Sequence, residues 1–136
     1  MKKILILIIS LNIILADNNY EQKLYEKVLT SIFTNIPIRI YADNDTKEIL
    51  KYSSKFKLVD HCDRDTLILV GKKFDNLDEV CKNKPIFATT YKGFKYMKNS
   101  FGAFYWRKGR PQIKFKKNMI DFYGLDLPES LRKYAK

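Results

Sequence analysis

Few residues of this chain have the types and spacing that catalysis or metal binding requires. The single histidine, His61, stands next to Cys62, with Asp60, Asp63 and Asp65 around them. A nucleophile needs a histidine that faces it across the fold, and sequence neighbours rarely do so. The aspartates lack the spacing and the later glutamate of a calcium loop, and there is no zinc-like ligand set. We therefore expect no catalytic residue, no metal site and no cofactor.

The most distinctive side chains stand in residues 100–115, SFGAFYWRKGRPQIKF. Tyrosine, tryptophan and arginine dominate the energetics of protein interfaces, and arginine also binds carboxylates and phosphates through two hydrogen bonds. We predict that four residues of this segment contact a partner or ligand: Tyr105, Trp106, Arg107 and Arg110. In the alternative interpretation, the aromatic rings pack in the core and the basic side chains are simply solvated at a hairpin tip.

The segment is expected to form a hairpin with its turn at Gly109–Arg110. Side chains alternate between the two faces of a strand. One face is then predicted to carry Phe101, Ala103, Tyr105 and Arg107, and the other Phe104 and Trp106.

The N-terminal segment Met1–Ala16 has the layout of a secretory signal peptide. Two basic residues, Lys2–Lys3, precede an apolar run over Ile4–Leu15, and Ala16 is the small residue before a cleavage site. The run of about 12 residues is shorter than the roughly 20 that span a bilayer. We expect export to the periplasm, a single mature domain over residues 17–136 and no transmembrane segment after cleavage. An uncleaved anchor and a buried helix are the alternatives.

Export changes how the basic charge is interpreted. The formal charge of +11 falls to +9 without the two lysines of the signal peptide. An exported protein meets little nucleic acid, so we expect no nucleic-acid partner. The positive charge is suited to anionic lipid head groups, an acidic partner surface or a small anionic ligand, and much of it is solvated lysine.

The two cysteines, Cys62 and Cys81, are predicted to form a disulfide. An even cysteine count in an exported chain favours pairing, because the compartment is oxidising. The alternative is a pair of free, buried thiols.

Helix and strand patterns alternate along the first two thirds of the mature chain. Tyr20–Asn35 has apolar residues at helical spacing. Strands are predicted at Ile38–Ala42, Lys57–Val59, Thr66–Val70 and Pro85–Thr89, and short helices at Thr46–Tyr52 and Asn76–Cys81. Continuous aliphatic runs are typical of strands covered on both faces. The pattern predicts a three-layer α/β fold with a mixed, mostly parallel sheet flanked by helices. A C-terminal β-hairpin and closing helices at Lys117–Tyr123 and Pro128–Ala135 complete it.

The C-terminal segment Gly124–Ala135, GLDLPESLRKYA, resembles the closing signature of YfiR-like periplasmic regulators. That signature is a Gly-Leu pair, one residue, Ile or Leu, a turn-forming pair, and an amphipathic helix that ends in alanine. Phe115 and Asn118 keep the spacing of the family's Phe-x-x-Asn element. Gly109–Arg110 is similar to its Gly-Arg turn, and Gly93–Phe94 to the Gly-Phe pair before the hairpin.

The resemblance implies an α/β periplasmic protein, often dimeric and stabilised by disulfides. Such proteins bind the periplasmic part of an inner-membrane diguanylate cyclase and hold it inactive, until redox or cell-envelope signals relieve the repression. The leading hypothesis is therefore a non-enzymatic regulator in c-di-GMP signalling whose partner is an inner-membrane signalling protein. The alternative is a periplasmic module for a small anionic ligand, with Arg107 or Arg110 holding the anion in a cleft at the sheet edge.

Overall fold

The fold is built on one six-stranded sheet, seen in a computed structural model that describes residues 19–136. The strands are β1 Ile38–Ala42, β2 Phe56–Leu58, β3 Ile68–Gly71, β4 Ile86–Ala88, β5 Ser100–Arg107 and β6 Arg110–Phe115. Their order in the sheet is β2-β1-β3-β4-β5-β6, and every neighbouring pair is parallel except β5 and β6. The predicted mixed, mostly parallel sheet with a C-terminal hairpin is confirmed. The predicted signal peptide, Met1–Ala16, lies outside the described residues.

Five helices within residues 19–136 flank the sheet and complete the predicted three-layer α/β fold. The described part of α1 covers residues 19–32, and the others are α2 Asn44–Leu50, α3 Tyr91–Tyr96, α4 Lys117–Phe122 and α5 Glu129–Arg132. Within residues 19–136, none of these helices has the length and apolar character needed to cross a membrane.

The main core lies between α1 and one face of the sheet. In β1, Ile38 and Ile40 point into it and are fully buried, as a period of two requires. Leu29 of α1 is also fully buried, and Tyr25 packs edge-on against Phe87 of β4 at 6.1 Å between ring centroids. Each such side chain contributes about 1.5–3 kcal/mol when buried. This face therefore supplies most of the stabilisation.

Helix α3 covers the other face, over a smaller cluster of Ala88, Ala103 and Tyr105. The Thr90 side chain caps α3 by accepting a hydrogen bond from the Gly93 backbone N–H at 2.9 Å. A Cβ at Gly93 would lie 2.6 Å from the Lys72 carbonyl oxygen, so the glycine allows α3 to pack closely against the β3–β4 loop. The position of α3 on the sheet depends on that contact.

The β3–β4 connection differs from its prediction, because Asn76–Cys81 is not a helix. The segment has a bend at Asn76, whose backbone is left-handed with a φ of 55°, and a turn over residues 79–81. The Cys81–Cys62 disulfide ties the loop down, and the Lys84 ammonium donates to the Arg64 carbonyl at 3.0 Å. Tertiary contacts therefore override the weak helical tendency of this short segment.

The predicted disulfide between Cys62 and Cys81 is confirmed, with 6.3 Å between their Cα atoms. It joins the β2–β3 loop to the β3–β4 loop. Cys81 is fully buried, and no free cysteine occurs in the described chain. The alternative of two free thiols is thereby excluded.

A β-bulge at the start of β5 places Phe101 on the opposite face of the strand from the one predicted. Ser100 pairs with Ile86, but Gly102, and not Phe101, pairs with the next residue, Phe87. Phe101 is therefore an extra residue, and it joins Phe104 in the main core and not Ala103 on the α3 face. From Ala103 onward the predicted alternation holds.

Candidate functional site

The β5–β6 hairpin has a two-residue turn formed by Lys108 and Gly109. Both residues have positive φ angles, 51° and 76°, as the type I′ turns favoured by hairpins require. Arg107 pairs directly with Arg110 across the hairpin. The turn was predicted at Gly109–Arg110, but it lies one residue earlier in the sequence. Arg110 is the first residue of β6 and not part of the turn.

The structure separates the four predicted contact residues onto two faces of the hairpin. Tyr105 belongs to the cluster under α3, and alternation places Arg107 and its pair Arg110 on that same face. Trp106 lies on the opposite face, where its ring centroid is 5.8 Å from that of Phe104. A partner that contacts all four residues must therefore reach around the hairpin tip.

Tyr105 is buried and forms part of the wall of a cleft beside the end of β4. Its side chain is 6% exposed, and its ring centroid lies 5.8 Å from that of Tyr91. Its hydroxyl oxygen is buried without a hydrogen-bond partner among the described residues. The cleft, of about 660 Å³, is also bordered by Thr89, Thr90, Trp106 and Arg107, so three of the four predicted contact residues line it. Tyr105 thus contributes a ring to the core and an unpaired hydroxyl to this region.

Trp106 is the exposed aromatic of the site, with 44% of its surface accessible. Its indole N–H donates to the Glu21 carboxylate of α1 at 2.8 Å, and its ring lies 6.2 Å from that of Tyr20. The contact with α1 holds the indole in one orientation while leaving nearly half of it open to solvent. A preorganised, half-exposed tryptophan is well suited to an interface.

Arg107 and Arg110 are exposed cations without a compensating acid. No carboxylate of residues 19–136 lies within 4.0 Å of either guanidinium. Like charges directly opposite each other on a sheet are destabilising. An external carboxylate or phosphate would relieve this repulsion and accept hydrogen bonds from both side chains.

The usual ligand position of an open parallel sheet is closed in this protein. That position lies where the chain connections diverge, here at the carboxyl ends of β1 and β3. The Asp43 carboxylate fills it, accepting hydrogen bonds from the backbone N–H groups of Thr46 at 3.0 Å and Lys72 at 2.9 Å. A Cβ at Gly71 would lie 2.7 Å from the Asp43 carboxylate, so Gly71 makes room for it. Asp43 therefore has a structural role here.

Asp63, in the aspartate cluster around Cys62, also has a structural role. The Asp63 carboxylate accepts hydrogen bonds from the Thr66 hydroxyl at 3.1 Å and the Asp65 backbone N–H at 3.0 Å. Desolvation opposes ionisation of Asp63, but the hydrogen bonds from Thr66 and Asp65 and the charge of Arg39 lower its pKa. His61 is an exposed loop residue. Residues 19–136 contain no cluster of three side chains that could hold a metal ion.

A second candidate site is a groove beside β6 that the sequence patterns did not indicate. Its volume is about 510 Å³, and it lies between α3, β6 and the C-terminal residues 133–136. Its basic lining residues are Lys95, Lys114, Lys116, Lys133 and Lys136. These lysines come from three segments that are distant in sequence, so only the tertiary fold brings them together. An excess of lysine in the composition was the sole available signal.

Comparison with solved structures supports the fold. The chain is similar to the crystal structure of a conserved domain protein from Vibrio cholerae O1 biovar El Tor strain N16961, with a TM-score of 0.57. The fold is shared. Sequence identity is 11%, and the alignment covers 82% of this chain and 58% of the Vibrio chain, so this chain spans less than two thirds of the other's length. No family model and no curated protein matches the chain.

Proposed function

We propose that this chain is an exported, non-enzymatic regulator that binds a partner protein through the tip of its β5–β6 hairpin. The observation that carries the proposal is the pair of facing arginines, Arg107 and Arg110, which lack any carboxylate within 4.0 Å in the described residues. The half-exposed Trp106 lies on the other face of the same tip. Arg107, Arg110 and Trp106 together give the hairpin tip two cations and an exposed aromatic ring with which to bind a partner.

The chemistry of the tip defines the partner surface that it fits. Carboxylates on the partner would pair with Arg107 and Arg110, since a charge-assisted, bidentate pair is among the stronger polar contacts. An apolar pocket would receive the open part of the Trp106 ring. The proposed partner therefore presents an acidic patch next to an apolar one.

The resemblance to YfiR-like regulators supports a more specific version of this proposal. In that version, the partner is the periplasmic part of an inner-membrane signalling protein, such as a diguanylate cyclase, which the chain holds inactive. The segment that carries the resemblance, Gly124–Ala135, packs onto the main core in this fold. Gly124, with a φ of 62°, follows α4, and Leu127 and Tyr134 pack against the main core.

The decisive experiment is affinity capture from the periplasmic and inner-membrane fractions of the source cells. The intact protein should retain a stoichiometric inner-membrane partner, and both Trp106→Ala and the double variant Arg107→Glu/Arg110→Glu should lose it. The matched controls are Tyr52→Ala, an aromatic residue that is 82% exposed at the far side of the sheet, and Lys57→Glu on β2. Capture of a partner that all four variants retain equally would refute binding through the hairpin tip.

A further inference from the structure

The groove beside β6 is lined by lysines that have no acidic partner among the described residues. Five lysines contribute to its lining, and no aspartate or glutamate does. Some lysines outside the groove do pair with acids, as Lys51 does with Glu48 at 2.7 Å and Lys82 with Glu79 at 2.8 Å. Within residues 19–136, none of the five groove lysines has a carboxylate within 4.0 Å. The groove therefore has a net positive charge from its lining side chains.

Lys116 is the groove lysine that is most deeply set into the protein. Its ammonium group donates to the hydroxyl of the fully buried Ser100 at 2.7 Å and to the Met97 carbonyl at 3.3 Å. It also lies 5.1 Å from the ring centroid of Phe94. Burial lowers the pKa of Lys116, because its partners are neutral groups that only partly replace water. An anion in the groove would supply the charge that these partners lack.

Two of the other groove lysines lie over aromatic rings that line the groove. The Lys114 ammonium lies 5.3 Å from the ring centroid of Tyr91, and that of Lys133 lies 5.1 Å from the ring centroid of Tyr134. Cation–π contacts of this kind hold a cation near an apolar wall without neutralising it. The groove thus combines positive charge with apolar surface, the usual composition of a small-ligand site.

We propose that this groove binds a small polyanion that carries phosphate or carboxylate groups, with Lys114, Lys116 and Lys133 as its main cationic contacts. A small ligand fits better than a membrane surface, because Lys116 is recessed beside the buried Ser100 and a flat bilayer would not reach it. The site differs from the alternative predicted from sequence, in which Arg107 or Arg110 holds the anion. It is also independent of the proposed contact between the hairpin tip and a partner protein.

The test is titration calorimetry of the purified protein with inorganic pyrophosphate at two salt concentrations. We expect saturable 1:1 binding that weakens as ionic strength rises, because salt screens the attraction. The double variant Lys114→Gln/Lys133→Gln should weaken binding at least about tenfold, since it removes two charged contacts. Lys116→Met should do the same, and circular dichroism of each variant establishes that it is folded. If Lys116→Met does not fold, the affinity of Lys114→Gln/Lys133→Gln alone tests the proposal.

The matched controls separate a built site from general attraction to a basic protein. Lys55→Gln/Lys57→Gln removes the same charge from exposed positions near β2 and should leave the affinity unchanged. Equal weakening by both double variants, or no saturable binding, would overturn the proposal. So would tight binding to phosphatidylglycerol vesicles without binding to pyrophosphate, which would assign the lysines to a membrane surface. Arg107→Glu/Arg110→Glu should retain pyrophosphate binding, so failure of the regulator proposal and failure of this one are distinguishable.

Discussion

The indole N–H of Trp106 donates a hydrogen bond to the Glu21 carboxylate at 2.8 Å, across 85 residues of sequence. This contact joins the exposed end of β5 to helix α1. Replacing Glu21 with alanine should lower the free energy of unfolding by about 0.5–1 kcal/mol, the usual net value of one such bond. It should also shift the fluorescence of the single tryptophan to longer wavelength, because the indole loses its anchor.

Urea denaturation followed by tryptophan fluorescence measures both effects. Glu21→Gln keeps an acceptor and should have a smaller effect on both. Glu26→Ala is the matched control, since it removes another carboxylate of α1 whose hydrogen bond, at 3.3 Å, is with Gln22. A Glu21→Ala variant with unchanged emission would show that the bond does not orient Trp106.

The hairpin turn stores conformational strain at Lys108, whose φ is 51°. Asparagine tolerates this left-handed backbone better than lysine does and is preferred before glycine in type I′ turns. Lys108→Asn should therefore raise the free energy of unfolding by about 0.5 kcal/mol. Thermal denaturation followed by circular dichroism measures the change.

Two variants test whether backbone conformation is the cause. Gly109→Ala should destabilise by about 1 kcal/mol, although a Cβ there meets nothing within 4 Å, because the φ of 76° alone disfavours alanine. Lys133→Asn introduces the same side chain at a φ of −63° and should give no gain. A gain at Lys133 equal to that at Lys108 would contradict the strain explanation.

The Cys62–Cys81 disulfide should stabilise the fold by about 3 kcal/mol, because it closes a loop of moderate length in the unfolded chain. Urea denaturation with and without a reductant measures this difference. The double variant Cys62→Ala/Cys81→Ala should show low stability that no longer responds to the reductant. If the intact protein is equally stable in both conditions, the disulfide does not constrain the unfolded state.

Asp63 should make stability depend on pH in the acid range. Its pKa is lowered in the folded protein, so ionised Asp63 stabilises the fold above the ordinary pKa of aspartate, about 3.9. That contribution is lost as the pH falls through the lowered pKa. The difference in melting temperature between the intact protein and Asp63→Asn should therefore shrink as the pH falls from about 5 to below the ordinary pKa of aspartate.

Asp60→Asn is the control for general charge effects, because Asp60 is exposed and forms no hydrogen bond through its side chain within the described residues. Its melting temperature should track that of the intact protein across the same pH range. A constant difference between the intact protein and Asp63→Asn at every pH would contradict the role of ionisation.

The sequence predicted the strands well because their signals are local, and it predicted the disulfide from the cysteine count. The aliphatic run at Thr66–Val70 indicated β3, observed at Ile68–Gly71, and a chain with two cysteines allows one pairing. The helix predicted at Asn76–Cys81 is wrong. The contacts of this loop outweigh the weak helix propensity of such a short segment. Lys95, Lys114 and Lys133 form no recognisable pattern in the sequence, because only the tertiary fold brings them to one groove.

The bulge at Phe101 has a chemical consequence at the other end of β5. Phe101 and Gly102 are both on the main-core side, and glycine is needed because a Cβ there would lie 2.6 Å from the Phe115 ring. Every later residue of β5 is thereby shifted by one step. Without that insertion, the side chains of Trp106 and Arg107 would exchange sides. One added residue thus decides which residues share a face at the tip: Arg107 and Arg110 lie on the α3 face, and Trp106 lies on the α1 face.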